Sequence, residues 1–320
     1  MAILNTCDQK IGDHPKYELL KPNSIDFTSN LGLVAPASPI YLKSDFDKMI
    51  TNLNDLGFTL KRGKYVEEKN GYLAGSDEQR AEDLMNMFRD KEIDAIMCIR
   101  GGWGSNRILS MIDYDLIRSN PKPLIGFSDI TSLHMAIYKK SSMVTYHGPV
   151  GKSVWTPYSI NSFESTLIKG DKTRYSVIDD QKYTIQAGEA SGVLLGGNLS
   201  VLCSLIGSEY LPDFSGAILF VEDIGESVYR IDRMLMQLKM AGILNAISGF
   251  IFGKCTECDA GPNSLKLNEV LEHYIKPLQI PAFYGAMISH EDDNATIPVG
   301  IEAVMNSSDC TISLTEAAVA

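Results

Sequence analysis

A single serine lies where an apolar stretch meets a segment with helical spacing. Residues 123–134 read PLIGFSDITSLH, and Ser128 stands between Gly126-Phe127 and the helical pattern. A serine on a sharp strand-to-helix turn exposes its hydroxyl, and the free N–H groups at the helix start would stabilise a negative oxygen beside it. The same arrangement also describes an ordinary helix cap. The segment alone therefore leaves two interpretations of Ser128 open, a nucleophile and a cap.

A serine nucleophile needs a base, and the chain has five histidines. His14 lies in a polar amino-terminal segment, and His273 lies in a charged helical pattern that faces solvent. His134 follows the candidate serine by more than one helical turn, so its side chain is expected to point elsewhere. His290 follows an apolar strand pattern and begins a polar loop, where functional residues are common. His290 is therefore the first candidate, and His147, at the end of another strand pattern, is the second.

The base in turn needs a carboxylate that fixes its tautomer and stabilises its charged form. In ILFVEDIGE, Glu222 ends an apolar strand pattern, where a carboxylate is costly unless it is paired. Asp223 and Glu226 are competing candidates. The alternative is a salt bridge from Glu222 to Arg230 or Arg233 in the following helical pattern.

A glycine-rich turn follows another strand pattern in CIRGGWGSNRIL, residues 98–109. Gly101 and Gly102 allow close backbone approach and can form a nest of N–H donors. The stretch lacks the third glycine of a dinucleotide-binding loop, so that function is a poor match. A donor to an oxyanion and a plain tight turn both fit this stretch.

The elements that must position these residues alternate along the first half of the chain. Apolar runs at 93–99 and 122–127 alternate with helical patterns, one of which opens with Ser76 and Gln79 spaced as a capping box. Such alternation predicts a parallel sheet with helices on both faces. Residues 151–190 are more polar and less periodic, which indicates a connection between domains.

Strand and helix patterns resume in the second half, with strands expected at 216–223 and 281–289. The closing stretches ATIPVGIEAVMN (295–306) and CTISL (310–314) predict a terminal hairpin or meander. The second half is therefore expected to form a mixed α/β unit.

Composition excludes several classes of partner. The 320 residues are 44% hydrophobic and carry a net charge of −11, which argues against nucleic acid and anionic membranes. No apolar run approaches the roughly 20 residues of a membrane helix, and no signal-peptide pattern is present. These features predict a cytoplasmic protein.

The six cysteines are expected to be reduced thiols. Cys255 and Cys258 form one C-x-x-C, but a zinc site would need a second close pair, and the sequence has none. We therefore expect no metal and no cofactor.

Five stretches together resemble the LD-carboxypeptidase family of serine peptidases. They are GYLAGSDEQRAEDLMNMFRD, RGGWGSNRIL, IGFSDITSLH, LLGGNLS and LFVEDIGESVYRIDRMLMQL. The family includes murein tetrapeptide carboxypeptidases and microcin C immunity peptidases, and the resemblance covers about residue 28 to the end. It implies that Ser128 is the nucleophile, that His290 is the base and that Glu222 orients it. Ser289 stands where family members often have a glycine.

The resemblance also implies the fold and the rest of the site. The oxyanion donors would be the N–H of Asp129 and one N–H of the Gly101–Gly102 turn. The fold would be a flavodoxin-like parallel-sheet amino-terminal domain and a smaller mixed α/β carboxy-terminal domain, with the active site in the cleft between them. Together with the polar connection, the resemblance divides the chain into four segments. Residues 1–25 are an amino-terminal extension, and residues 26–150 are the domain with the nucleophile. Residues 151–190 are the connection, and residues 191–320 are the domain that carries the glutamate and the histidine.

The function implied is hydrolysis of an L,D amide bond, which releases the terminal D-alanine of murein tetrapeptide during cell-wall recycling. The resemblance also implies that the protein is a homodimer. Arg100 and Arg233 are candidates to bind the free carboxylate of the peptide. The runner-up is an immunity-type peptidase for peptidyl-aminoacyl nucleotides, which should stack a purine on an aromatic residue such as Trp103 or Trp155. A noncatalytic two-lobe binding protein is a third alternative. An ordinary α/β-hydrolase is disfavoured because Ile130 replaces the second glycine of its serine motif.

Overall fold

The first of two β-sheets has the strand order expected of a flavodoxin-like fold. The computed structural model describes residues 17–177 and 182–320. The six strands of this sheet, from edge to edge, are β12 (Ile297–Val299), β5 (Thr145–His147), β4 (Leu124–Gly126), β3 (Ala95–Cys98), β1 (Asn30–Val34) and β2 (Thr59–Arg62). All pairs are parallel except β12 with β5. The order 2-1-3-4-5 is that of a doubly wound sheet, so the predicted fold class is confirmed.

The described part of the first half of the chain has five α-helices: α1 (Lys43–Asp55), α2 (Asp77–Arg89), α3 (Tyr114–Ser119), α4 (Thr131–Ser141) and α5 (Pro157–Phe163). The predicted capping box of Ser76 and Gln79 starts α2. Nine of the eleven residues of α4 are buried, which is typical of a helix enclosed on all sides. It contacts the second sheet, because the Asn198 N–H donates a 2.9 Å hydrogen bond to Thr131 Oγ1.

The second sheet is mixed and has eight strands. From edge to edge they are β6 (Arg174–Ser176), β14 (Thr311–Leu314), β13 (Glu302–Asn306), β8 (Glu189–Asn198), β9 (Ile218–Ile224), β10 (Gly249–Thr256), β11 (Ala282–Tyr284) and β7 (Tyr183–Gln186). Its helices are α6 (Leu199–Ser204), α7 (Val228–Met240), α8 (Ile243–Ala246) and α9 (Leu267–Ile275). The four strands from β8 to β11 are parallel. This sheet has more strands than the first because β6 and β7, from the polar connection, join it.

The closing segments do not all behave as one hairpin. Strands β13 and β14 pair antiparallel, as expected. The stretch before them forms β12, which instead pairs with β5 in the first sheet, with Ile297 opposite His147. The second half of the chain thus completes the first sheet. The division at 1–25, 26–150, 151–190 and 191–320 stays a prediction, and residues 1–16 of its first segment, with His14, lie outside the described residues.

The expectation that every cysteine is a reduced thiol is wrong for one pair. Cys255 and Cys258 form a disulfide, because the chain turns directly after β10 and brings their Cα atoms to 5.3 Å. The free and buried cysteines in the described residues are Cys98, Cys203 and Cys310; Cys7 lies outside those residues.

Within 17–177 and 182–320, every helix is too short or too polar to traverse a bilayer.

Candidate active site

Ser128 stands on a strained turn between β4 and α4. Its φ is 64°, a left-handed value that a non-glycine residue adopts at a cost of about 1–3 kcal/mol. Gly126, two residues earlier, has no room for a side chain: a Cβ there would lie 3.0 Å from Ile130 Cγ1. Ile130, the residue that departs from the hydrolase motif, therefore packs where Gly126 leaves space. The turn holds the serine hydroxyl at the carboxyl end of the first sheet.

His290 reaches Ser128 from the loop after β11. Its Nε2 lies 2.9 Å from Ser128 Oγ, and its ring packs against Phe127, with 4.8 Å between ring centroids. A hydrogen bond within the loop helps to fix its conformation: the Ser289 N–H donates to Asn294 Oδ1 at 3.3 Å. Ser289 is fully buried directly before His290.

Glu222 completes the chain of hydrogen bonds from β9 of the second sheet. It is fully buried, and its Oε2 lies 2.7 Å from His290 Nδ1. The competing carboxylates face elsewhere. Glu226 pairs with Arg230 at 2.6 Å, and Asp223 accepts the Ser200 N–H at 3.0 Å. The alternative salt bridge between Glu222 and the arginines of α7 does not form among the described residues.

Asn198 is a site residue that the reasoning from residue chemistry did not identify. Its Nδ2 group donates to Glu222 Oε1 at 3.3 Å and to Asp223 Oδ1 at 3.0 Å. Asn198 ends β8 directly opposite Glu222 in β9 and caps α6 through its Oδ1. Burial, followed by the charge of Glu222, raises the pKa of Asp223 to about 6. The asparagine therefore holds two neighbouring buried carboxyl groups in place.

The environment of His290 favours its protonated form. Burial alone would lower its pKa, but the hydrogen bond and charge of Glu222, with a further contribution from the charge of Asp223, raise the pKa above its ordinary value of 6.5. An imidazole with a carboxylate at Nδ1 and a serine hydroxyl at Nε2 is set up to accept the serine proton.

The glycine turn after β3 lies directly against the serine. A Cβ on Gly101 would come within 2.8 Å of Ser128 Cβ and 3.1 Å of its Oγ. Gly102 has φ 112° and packs on Ser38. Among the described residues, the N–H of neither glycine donates to a backbone carbonyl in a turn or loop. The turn that carries these two N–H groups therefore packs against the serine.

Asp129 contributes its side chain to the scaffold. The carboxylate is buried and accepts the Ser105 N–H at 2.7 Å, and burial raises its pKa. Its backbone N–H, the predicted oxyanion donor, is the first after the serine and stands at the start of α4.

The predicted substrate-binding residues lie in different places. Arg100 is half-buried beside the glycine turn, donates to the Pro39 carbonyl at 2.9 Å and lies over the Tyr41 ring. It has no carboxylate partner within the described residues. Trp103 is 45% exposed beside the same turn. Arg233 is an exposed residue of α7 whose guanidinium lies over Tyr229.

The remaining histidines of the described chain stay outside the hydrogen-bonded chain. His147 is fully buried among aromatic rings, and burial, with the nearby His134 and His290, lowers its pKa well below 6.5. His134 lies 2.8 Å from the Gly126 carbonyl through Nε2, and burial lowers its pKa to about 4. His273 is exposed on α9. Their environments suit structural roles.

The geometry brings together a hydroxyl, an imidazole and a carboxylate from two sheets. Such a chain can activate a hydroxyl as a nucleophile and return the proton to a leaving group. Within the described ranges, no cluster of three or more His, Cys, Asp or Glu side chains has the geometry of a metal site.

Comparison with known protein families matches most of both halves. The model of the LD-carboxypeptidase N-terminal domain matches residues 31–148, and that of the LD-carboxypeptidase C-terminal domain matches residues 191–305. Among curated proteins, a probable murein peptide carboxypeptidase from Bacillus subtilis is 39% identical over 299 residues, which are 91% of this chain and 93% of that protein.

Two solved structures share the fold. The microcin C7 self-immunity protein MccF, in complex with glutamyl sulfamoyl guanosine, superposes with a TM-score of 0.88 at 26% identity, covering 94% of this chain and 100% of that one. Muramoyltetrapeptide carboxypeptidase from Oxalobacter formigenes superposes with a TM-score of 0.79 at 29% identity, covering 89% and 98%. The chain therefore belongs to the LD-carboxypeptidase family and is a serine-type carboxypeptidase, a hydrolase.

Proposed function

We propose that Ser128, His290 and Glu222 are the catalytic residues and that they release a terminal D-amino acid through an acyl-enzyme. The observation that carries the proposal is the pair of hydrogen bonds, 2.9 Å and 2.7 Å, that joins the three side chains. The proposal is also supported by the left-handed backbone of Ser128, by the raised pKa of His290 and by the burial of Glu222.

In the proposed mechanism His290 Nε2 takes the proton of Ser128 as Oγ attacks the carbonyl of the L-residue. Glu222 accepts a hydrogen bond from Nδ1–H and stabilises the imidazolium that forms. His290 then gives the proton to the leaving amine of the D-residue, and the L-residue stays on the serine as an ester. Water activated by the same imidazole hydrolyses that ester and regenerates the hydroxyl.

The backbone around the serine supplies the electrostatic part of the proposal. The N–H of Asp129 and one N–H of the Gly101–Gly102 turn would bind the oxyanion, a role that typically contributes about 10²–10³-fold per donor. Arg100 is the better candidate for the free carboxylate of the substrate, because it adjoins the glycine turn and has no carboxylate partner in the described chain. Arg233 stays a weaker candidate, since its ring contact with Tyr229 lies on an exposed face of α7.

We infer that the substrate is the murein tetrapeptide, which loses its terminal D-alanine. The names of the Bacillus subtilis and Oxalobacter formigenes proteins support this class of substrate.

The similarity to MccF supports a second candidate, a peptidyl-aminoacyl nucleotide. The exposed ring of Trp103 beside the catalytic turn favours that second candidate at one point, because it could stack a purine. Trp155 is half-buried and packs edge-on against Phe163, which makes it a weaker partner for a base.

Mass spectrometry of two substrates tests the proposal. The protein is incubated with L-Ala-D-Glu-diamino acid-D-Ala tetrapeptides and with a peptidyl-sulfamoyl-adenylate. We expect D-alanine release, with no cleavage of tetrapeptides that end in L-alanine. Cleavage of the nucleotide alone would overturn the murein substrate and leave the catalytic residues in place.

The Ser128→Ala variant tests the nucleophile. We expect kcat to fall by about 10³–10⁶-fold, because removing one member of a triad removes nearly all covalent catalysis. Ser119→Ala, at an exposed serine that ends α3, is the control and should keep its activity within a few fold. Turnover by Ser128→Ala equal to that of the unmodified protein would refute the assignment.

The predicted homodimer also belongs to this proposal. Light scattering of the purified chain would measure its mass in solution, and a mass near twice 35.2 kDa is expected.

A further inference from the structure

A second reactive group lies near the proposed catalytic residues. The disulfide of Cys255 and Cys258 closes the turn at the end of β10, and both residues are half-buried. In the sheet, Cys255 pairs with Asp223, the neighbour of Glu222 on β9. The disulfide therefore lies at the end of the strand that pairs with the one carrying the proposed catalytic carboxylate.

Lys254 connects the same turn to the histidine loop. This lysine is only 7% exposed, and its Nζ lies 2.7 Å from Glu291 Oε2. Its backbone N–H donates to the Ile288 carbonyl at 3.2 Å. Glu291 and Ile288 flank His290 closely in the chain. The residue directly before Cys255 thus holds the loop of His290 through both its side chain and its backbone.

The turn between the two cysteines is in an unfavourable conformation. Glu257 has φ 56°, a left-handed value that non-glycine residues seldom adopt. A covalent link restricts the conformations open to the segment that it closes. Once the link is broken, we expect residues 254–258 to relax and the ammonium group of Lys254 to move relative to Glu291.

We propose that the Cys255–Cys258 disulfide is a reversible redox site, opened by a small reducing dithiol, whose state controls how firmly His290 is held against Ser128. The consequence for turnover rests on the proposed function. The redox chemistry itself does not.

The reaction is a thiol–disulfide exchange. A thiolate of the dithiol attacks one protein sulfur, a mixed disulfide forms as the Cys255–Cys258 bond breaks, and the other cysteine leaves as a thiolate. The second thiolate of the reductant then displaces the protein sulfur and closes the reductant's own ring. Two electrons pass to the protein, and the two protons of the dithiol end on the two cysteines.

The other cysteines leave this reaction easy to follow. Cys98, Cys203 and Cys310 are buried, and burial raises the pKa of each, for Cys203 to about 12. Such thiols react slowly with alkylating reagents near neutral pH. The Cys7→Ser substitution removes the one remaining cysteine of the six. Alkylation after reduction then reports on Cys255 and Cys258.

The test uses the Cys7→Ser protein, equilibrated in mixtures of reduced and oxidised dithiothreitol. The protein is then alkylated, and its mass is measured by mass spectrometry to give the fraction with an open disulfide. The kcat/KM for D-alanine release is measured in the same mixtures. We expect kcat/KM to fall at least threefold on full reduction, to recover on reoxidation and to follow the same curve as the disulfide. The Cys255→Ser, Cys258→Ser double variant should show the reduced value in every mixture. A constant kcat/KM across the range in which the disulfide opens would overturn the proposal, as would a disulfide that dithiothreitol does not reduce.

An activity-independent measurement separates this proposal from the proposed function. The imidazole of His290 is titrated by NMR in the oxidised and reduced protein, with His290→Gln used to assign its signal. A pKa that differs between the two states supports the redox site even if no tetrapeptide is hydrolysed, in which case only the proposed function fails. Identical titration curves in both states would overturn the redox site.

Discussion

At the scale of single residues, the site depends on a buried carboxylate that has few alternatives. Glu222 is fully buried, and its contacts are His290 on one oxygen and Asn198 on the other. A buried carboxylate is costly unless such partners are present. The pairing raises the pKa of His290 against the effect of burial. In the proposed mechanism only the neutral imidazole can accept the serine proton, so we expect activity to fall as the pH drops through this raised pKa.

The Glu222→Gln variant tests this coupling. We expect kcat to fall by about 10³–10⁴-fold, because the amide no longer stabilises the imidazolium. We also expect the acidic limb of kcat/KM, which in the unmodified protein lies above 6.5, to move to lower pH, since the charge that raises the histidine pKa is gone. A pH profile of kcat/KM for both proteins measures this shift.

Asp223→Asn is the matched control for that experiment. The charge of Asp223 contributes to the raised pKa of His290, and this contribution is smaller than that of Glu222. Its variant should therefore shift the acidic limb less. If the limb has the same midpoint with and without Glu222, the carboxylate does not set the histidine pKa.

At the scale of elements, two turns at the carboxyl ends of β3 and β4 meet at the serine. In a doubly wound sheet these ends form the crevice where ligands bind. Gly101 in the first turn lies so close to Ser128 in the second that only a hydrogen fits between them. The close approach places the backbone of the glycine turn beside the hydroxyl.

The Gly101→Ala variant is expected to lose activity while it stays folded. The new methyl group would lie 2.8 Å from Ser128 Cβ and 3.2 Å from the Phe127 carbonyl, so the serine turn must shift. A displacement of this kind typically costs about 10²-fold in rate, whereas overpacking at one site costs about 1–3 kcal/mol of stability. Steady-state kinetics and urea denaturation measure the two effects separately.

Gly261→Ala is a suitable control for the glycine experiment. Gly261 has φ 66°, but a Cβ there meets nothing within 4 Å. Its variant should lose about 1 kcal/mol of stability from backbone strain and keep its kcat/KM. Full activity in Gly101→Ala would show that the close approach has no part in catalysis.

The elements also explain which features could be predicted from the sequence. Ser128, Glu222 and His290 each follow or end an apolar strand pattern, and the ends of strands are readable from residue types. The contact of Asn198 with Glu222 depends on the register of β8 against β9, which no local pattern reports. The strand predicted at 281–289 ends instead at Tyr284, because Gly285 turns the chain with φ 98°.

Two further features could not be predicted from the sequence, one because it depends on long-range pairing and the other because it depends on an unusual local backbone conformation. The short stretch Ile297–Val299 carries the same apolar pattern whichever sheet it joins, so its pairing with β5 could not be read from it. The disulfide depends on the left-handed turn at Glu257, a residue type that gives no signal for such a conformation.

At the scale of the whole molecule, the two halves of the chain are joined at the site and away from it. Strand β12, from the second half, forms an edge of the first sheet. Helix α4 of the first half is enclosed, and Thr131 at its start accepts the backbone N–H of Asn198. The hydrogen bonds that join Ser128, His290 and Glu222 cross the same boundary. We infer that neither half keeps its structure without the other, so the two should unfold together.

The Leu219→Ala variant tests this cooperativity. Leu219 lies in the middle of the second sheet, between Leu195 and Phe250, and is fully buried. Removing its side chain should cost about 2–5 kcal/mol. Both tryptophans belong to the first half, so tryptophan fluorescence during urea denaturation reports on the part of the molecule that the substitution does not touch. If the chain unfolds as one unit, the fluorescence midpoint falls by the same amount as the midpoint from far-UV circular dichroism.

Leu265→Ala, at a position 57% exposed in the second half, should leave both midpoints unchanged. A fluorescence transition that keeps its midpoint in Leu219→Ala would mean that the first half is stable alone, and the pairing of β12 with β5 would then not couple the two halves.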